Sequence, residues 1–118
     1  MPWVDYVVLR WPELWLRTVE HLMLTGLSTA GAVIIGVPVG VLAFYQPRLR
    51  SALLSLASIL QTIPSLAMLA LLLVLFGQIG ALPALTALTL YALLPVIRNT
   101  VVGLAGVDPA IAEAARGI

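Results

Sequence analysis

Side chains able to do chemistry are scarce in this sequence and mostly stand apart. Its 118 residues hold one His, no Cys, five acidic residues and six basic ones, all six of them Arg. His21 stands beside Glu20 with no second His. The three or four converging ligands of a metal site are therefore missing, and no metal is expected. Without Cys there are no disulfides, thiol nucleophiles or thiolate ligands. No carboxylate pair, Ser/His/Asp set or phosphate-cradling Gly-rich loop is present. No catalytic residue is assigned and no cofactor is expected, so any ATP must be bound by another chain. A net charge of +1 without a basic patch gives no reason to expect nucleic acid.

Three polar or small-residue patterns remain. Ser51, Ser55, Ser58, Thr62 and Ser65 recur at steps of four, three, four and three, which places them on one helical face. Gln61 and Pro64 lie beside them in the phrase "QTIPS". Hydroxyls at this spacing can glue two helices together in lipid. They can equally wall a water-accessible path, in which case Ser58, Gln61, Thr62 and Ser65 would line it. The phrase "LLPVIRNT" holds Pro95, Arg98, Asn99 and Thr100. Arg98 can snorkel to the interface, meet another chain, or join Asn99 on the path. Ser28, Ala32, Gly36 and Gly40 form a row of small residues four apart, suited to close helix packing and less so to lining a pore. Pro38, inside that row, is expected to bend its helix.

Helices long enough to position these groups follow from composition. The chain is 62% hydrophobic and 9% charged, against roughly 25% charged in soluble domains. No globule of this size hides that much apolar surface, whereas a bilayer does. Charge-free stretches mark the spans, each needing about 20 apolar residues. They predict transmembrane helices over Leu22–Tyr45, Ala52–Phe76 and Pro83–Ala105, with a turn at "GQIGALP" (Gly77–Pro83). Residues 1–20 mix Trp3, Tyr6, Trp11 and Trp15 with charges, which suits an interfacial helix. All of this sits in a single all-α membrane domain over 1–118. Arg48, Arg50, Arg98 and Arg116 on one side, against Arg10 and Arg17 on the other, predict the N-terminus outside and the C-terminus in the cytoplasm.

The last segment, Val107–Ile118, reads as a short amphipathic helix. Asp108 is a good N-cap and Pro109 a good first residue. Ile111, Ala114, Ala115 and Ile118 share one face, and Glu113 can pair with Arg116 across a turn. Such a helix can lie in a groove of a soluble partner or simply rest at the interface.

The phrase "VDPAIAEAARGI" resembles the EAA cytoplasmic loop of permease subunits of bacterial ABC importers. "EHLMLTGLSTAGAVIIGVPVGVL", "LQTIPSLAMLALL" and "ALPALTALTLYALLPVIRNTVVGL" are similar to the osmoprotectant branch, which imports glycine betaine, carnitine, choline and related amines. The likeness runs from about Thr18 to Ile118. It implies a MetI-like helical permease fold in the bacterial cytoplasmic membrane, surrounded by lipid. The implied partners are a cytoplasmic ABC ATPase, an extracytoplasmic substrate-binding protein and a second permease subunit, identical or not. On that resemblance Asp108, Glu113, Ala114, Ala115 and Gly117 would form the ATPase-coupling element. The family places a further Gly one position past Ile118 and further spans beyond, so the chain is expected to be the N-terminal part of a permease. A permease for another small amine or amino acid, or a three-span scaffold or truncated product without transport activity, are the alternative expectations.

Overall fold

In the computed structural model the described residues, Met1–Gly117, form six helices and no strand. Ile118, expected on the apolar face of the last helix, lies outside the described residues. The helices are α1 (Pro2–Leu9), α2 (Trp11–Tyr45), α3 (Pro47–Thr62), α4 (Ser65–Phe76), α5 (Ala81–Ala105) and α6 (Pro109–Arg116).

Residues 1–20, read as an interfacial helix, fall on α1 and on the first turns of α2. That helix then runs without a break into the apolar stretch. The charges do not interrupt it because they sit at helical spacing. Arg10 pairs with Glu13 at 3.3 Å and Arg17 with Glu20 at 3.0 Å, each one turn apart. With 35 residues, α2 is about 52 Å long at 1.5 Å per residue, longer than a bilayer of ~40–45 Å including headgroups. Its exposed Trp11 and Trp15 therefore stand at the headgroup level or beyond.

α2 and α5 make the largest helix–helix interface. Ser28, Ala32, Gly36 and Gly40 are all buried, Ala32 completely. A Cβ on Gly36 would lie 2.8 Å from Val96 Cγ1, and one on Gly40 would lie 2.7 Å from Thr100 Cβ. Only a hydrogen at those two positions lets the backbones approach so closely. The register also gives direction. Gly31 faces Thr89, Gly36 faces Leu93 and Val96, and Gly40 faces Ile97 and Thr100. Both numbers rise together, so α2 and α5 run parallel.

Parallel neighbours require the chain to return between them, and α3 with α4 does this. Gln46 alone links α2 to α3. The apolar stretch read as one helix over Ala52–Phe76 belongs to two, bent by 96° where they meet. α3 has 16 residues and α4 has 12, about 24 Å and 18 Å, so each falls short of the ~30 Å hydrocarbon core. Together they are long and apolar enough for one broken crossing, which the return between parallel α2 and α5 calls for. Pro64 favours the break, since it has no N–H to give and disfavours the helical region for the residue before it, although α2 and α5 continue through Pro38 and Pro95. Ile63 is accordingly extended, with φ −75° and ψ 124°. Gly77, at φ 64°, ends α4 in the left-handed conformation that glycine adopts freely.

Met68 and Leu72 of α4 and Ala87 of α5 form a buried cluster, with Leu60, Ile63 and Tyr91 packed around it. It ties the bend to α5.

Candidate functional site

α6 is built as its sequence dictates. The Asp108 carboxylate accepts a hydrogen bond from the Ala110 N–H at 2.8 Å, and Pro109 opens the helix. Ile111, Glu113, Ala114 and Ala115 are exposed, as is Gly117 at the C-cap. Among the described residues no other helix packs on α6. Its ion pair across a turn is not formed: the pairs among the described residues are Arg10–Glu13 and Arg17–Glu20. Glu113 and Arg116 therefore both stand exposed, unpaired with each other, beside an open Ile/Ala face. The arrangement is a capped, amphipathic helix with its contact surface unused.

The hydroxyl stripe is divided by the bend. Ser58 donates to the Leu54 carbonyl at 2.9 Å and Thr62 to the Ile59 carbonyl at 2.6 Å. Both hydroxyls serve their own helix. The buried residue of α3 is Ala57, whereas Ser58, Gln61 and Thr62 are exposed. Ser65 lies past the bend and opens onto a cleft of about 540 Å³ between α2, α4 and α5, shared with His21, Leu24, Leu69, Ala84 and Tyr91. Arg98 and Asn99 are exposed on α5, and neither lines that cleft. The six residues named for a path thus do not converge on one cavity within the chain. Ser65 faces a cleft, while the other five point outward from the bundle.

Sequence patterns alone do not single out Tyr91. Its hydroxyl donates to the Ile63 carbonyl, 28 residues away, at the break between α3 and α4. The available signal is physical: a tyrosine in an apolar run must find an acceptor for its O–H when buried.

Over residues 32–118 the chain matches a family described as the binding-protein-dependent transport system inner membrane component. It is 46% identical over 105 residues to the osmoprotectant import permease protein OsmW of Salmonella typhimurium, covering 86% of this chain and 49% of that protein. It is 39% identical over 106 residues to the carnitine transport permease protein OpuCB of Listeria monocytogenes, covering 90% and 48%. A choline transport system permease protein, OpuBB of Bacillus subtilis, is 34% identical over 106 residues, covering 90% and 48%. The chain spans about half the length of the curated relatives it matches. No solved structure matches it.

Proposed function

Because the chain belongs to the family of binding-protein-dependent transport system inner membrane components, we propose that it serves as a permease subunit of an ATP-driven importer for osmoprotectants of the glycine betaine, carnitine and choline type. Its relatives carry those solutes in their names. Permeases of such systems are generally not enzymes, and ATP hydrolysis is assigned to a separate ATPase.

The observation that carries this reading is α6. An exposed amphipathic helix with its own N-cap, packed on no other helix among the described residues, is suited to enter a groove in another protein. We assign that groove to the ATPase. Asp108 sets the start of the helix, Ile111, Ala114 and Ala115 supply the apolar contact, and Glu113 supplies a charged one. Closure of two ATPases would then pull on α6 and, through Gly106 and Val107, on α5. α5 is locked to α2 along the Gly36 and Gly40 contacts, so the pull reaches both parallel helices as one body.

The outward-facing polar groups are consistent with a second permease subunit. Gln61 and Arg98, exposed in the membrane-spanning part, are costly against lipid and need protein or water beside them. Arginine placement supports an N-terminus outside and α6 in the cytoplasm, opposite the side where a substrate-binding protein would deliver its solute.

Photo-crosslinking tests the docking directly. Benzoylphenylalanine substituted for Ala115, in membranes that also contain the system's ATPase, should yield an adduct with the ATPase. The same group substituted for Ile34, exposed on α2, should yield none. Equal adducts from both positions, or none from position 115, would remove α6 from the coupling role.

A further inference from the structure

We propose that Tyr91 is a positioning residue that latches the broken span in its bent state, and that the Ile63 carbonyl exchanges donors when the span straightens. The inference goes beyond the transport reading and rests on the fold alone.

Every backbone polar group inside a bilayer must find a partner, because no water is there to supply one. At the break each group can be followed atom by atom. Pro64 has no N–H, so the Leu60 carbonyl loses its usual donor and accepts from the Ile63 N–H at 3.2 Å instead. The Pro64 carbonyl accepts from the Met68 N–H at 3.0 Å, which starts α4. The Ile63 carbonyl is left over, turned out of both helices by the extended conformation of its residue. Neighbouring hydroxyls do not serve it, since Thr62 is spent on the Ile59 carbonyl. Tyr91 does, across the helix boundary, with its ring held in the apolar cluster of Met68, Leu72 and Ala87.

Straightening offers the same carbonyl a different donor. The N–H of Ala67 lies in the first turn of α4, where no intrahelical acceptor exists. In a continuous helix it would bond to the carbonyl four residues back, which is Ile63. Bent and straight forms therefore each satisfy Ile63 once, through Tyr91 in one and Ala67 in the other. An exchange of one hydrogen bond for another gives two discrete arrangements instead of a floppy joint. The bend also sets where Ser65 and α4 stand on the cleft, so the latch controls its shape.

A distance across the hinge tests the proposal. The chain has no Cys, so nitroxides can be placed at Ser51→Cys on α3 and Leu75→Cys on α4, both exposed. At 1.5 Å per residue and a 96° bend the two sites stand about 23 Å apart, against about 36 Å in a straight helix. Electron–electron double resonance on the chain in lipid nanodiscs should find the shorter distance. Tyr91→Phe, which removes one oxygen and keeps the ring, should shift the distribution toward the longer one. Thr86→Val removes a hydroxyl that serves only the Leu82 carbonyl of its own helix, and should leave the distance unchanged. A tyrosine that merely packs would lower the melting temperature of Tyr91→Phe without moving the distance, and that result overturns the latch. Should Tyr91→Phe fail to reconstitute, Tyr91→4-methoxyphenylalanine takes its place, since it keeps the oxygen and lacks the proton. A longer distance then supports the latch, and an unchanged one overturns it. The measurement needs no transport activity, so it stands or falls separately from the importer assignment.

Discussion

Alanine in place of Gly40 should force α2 off α5 and cost the chain more stability than the same methyl added at any other glycine of α2. The added carbon would lie 2.7 Å from Thr100 Cβ and 3.1 Å from the Ile97 carbonyl oxygen. The first is a branched side chain whose hydroxyl is bonded to the Val96 carbonyl at 2.8 Å. The second is helix backbone. Neither can give way without moving α5. Overpacking a tight site costs about 1–3 kcal/mol, and occasionally more, when only side chains shift. A displaced helix should bring the loss to the top of that range or past it. In lipid the loss is not cushioned, since van der Waals contact between helices is itself what drives their association. Equilibrium unfolding in mixed micelles, followed by circular dichroism, measures it. Gly26 supplies the control: nothing lies within 4 Å of a Cβ there. Gly26→Ala should be neutral or stabilising by about 0.5–1 kcal/mol, because alanine loses less backbone entropy in a helix. Equal effects at the two glycines would mean that helix propensity, and not close approach, accounts for the row.

Glu113→Ala should abolish most solute uptake while leaving the membrane domain intact. Glu113 is exposed on α6, and alanine is the better helix former, so the substitution has no folding defect to hide behind. Its side chain has no ion-pair partner among the described residues, so it is available for the proposed intermolecular contact. A charge-assisted contact in an interface is worth about 1.5–3 kcal/mol, so docking should weaken by roughly tenfold or more. Uptake of radiolabelled betaine, normalised to the amount of chain in the membrane, reads the effect. Unchanged uptake would separate Glu113 from coupling.

The amount of this architecture written openly in the sequence varies from element to element. Helicity and the apolar stretches are plain because lipid demands long charge-free runs, and α2 and α5 each contain one. The row Ser28, Ala32, Gly36, Gly40 is legible as a packing face through its four-residue period. Its partner is not, because no local pattern says that α5 lies beside α2 and runs parallel to it. The bend is half legible. Pro64 announces a lost hydrogen bond, yet hydropathy runs smoothly across it, so 52–76 reads as one span. Under the proposed latch, what separates a kink from a right-angle turn is a tertiary bond from Tyr91, 28 residues away. The hydroxyl stripe shows the same limit. Periodicity assumes one continuous helix, and the 96° turn at Ile63–Pro64 parts Ser65 from Ser58 and Thr62. At the N-terminus, Arg10, Glu13, Arg17 and Glu20 signal an interfacial segment by their charge. Their spacing of three and four carries the further message that the helix continues through them.

Cap, face and charge make α6 the most legible feature of all, since each depends on residues within two turns of one another. Among the described residues it packs on no other helix, which suits the proposed role as a handle. ATP-dependent uptake of radiolabelled glycine betaine, compared in cells with and without this chain alongside the ATPase and binding protein of its system, bears most directly on the assignment. Uptake that requires the chain and is competed by unlabelled carnitine and choline is the result expected of an osmoprotectant permease subunit. Uptake that is the same whether or not the chain is present would contradict it.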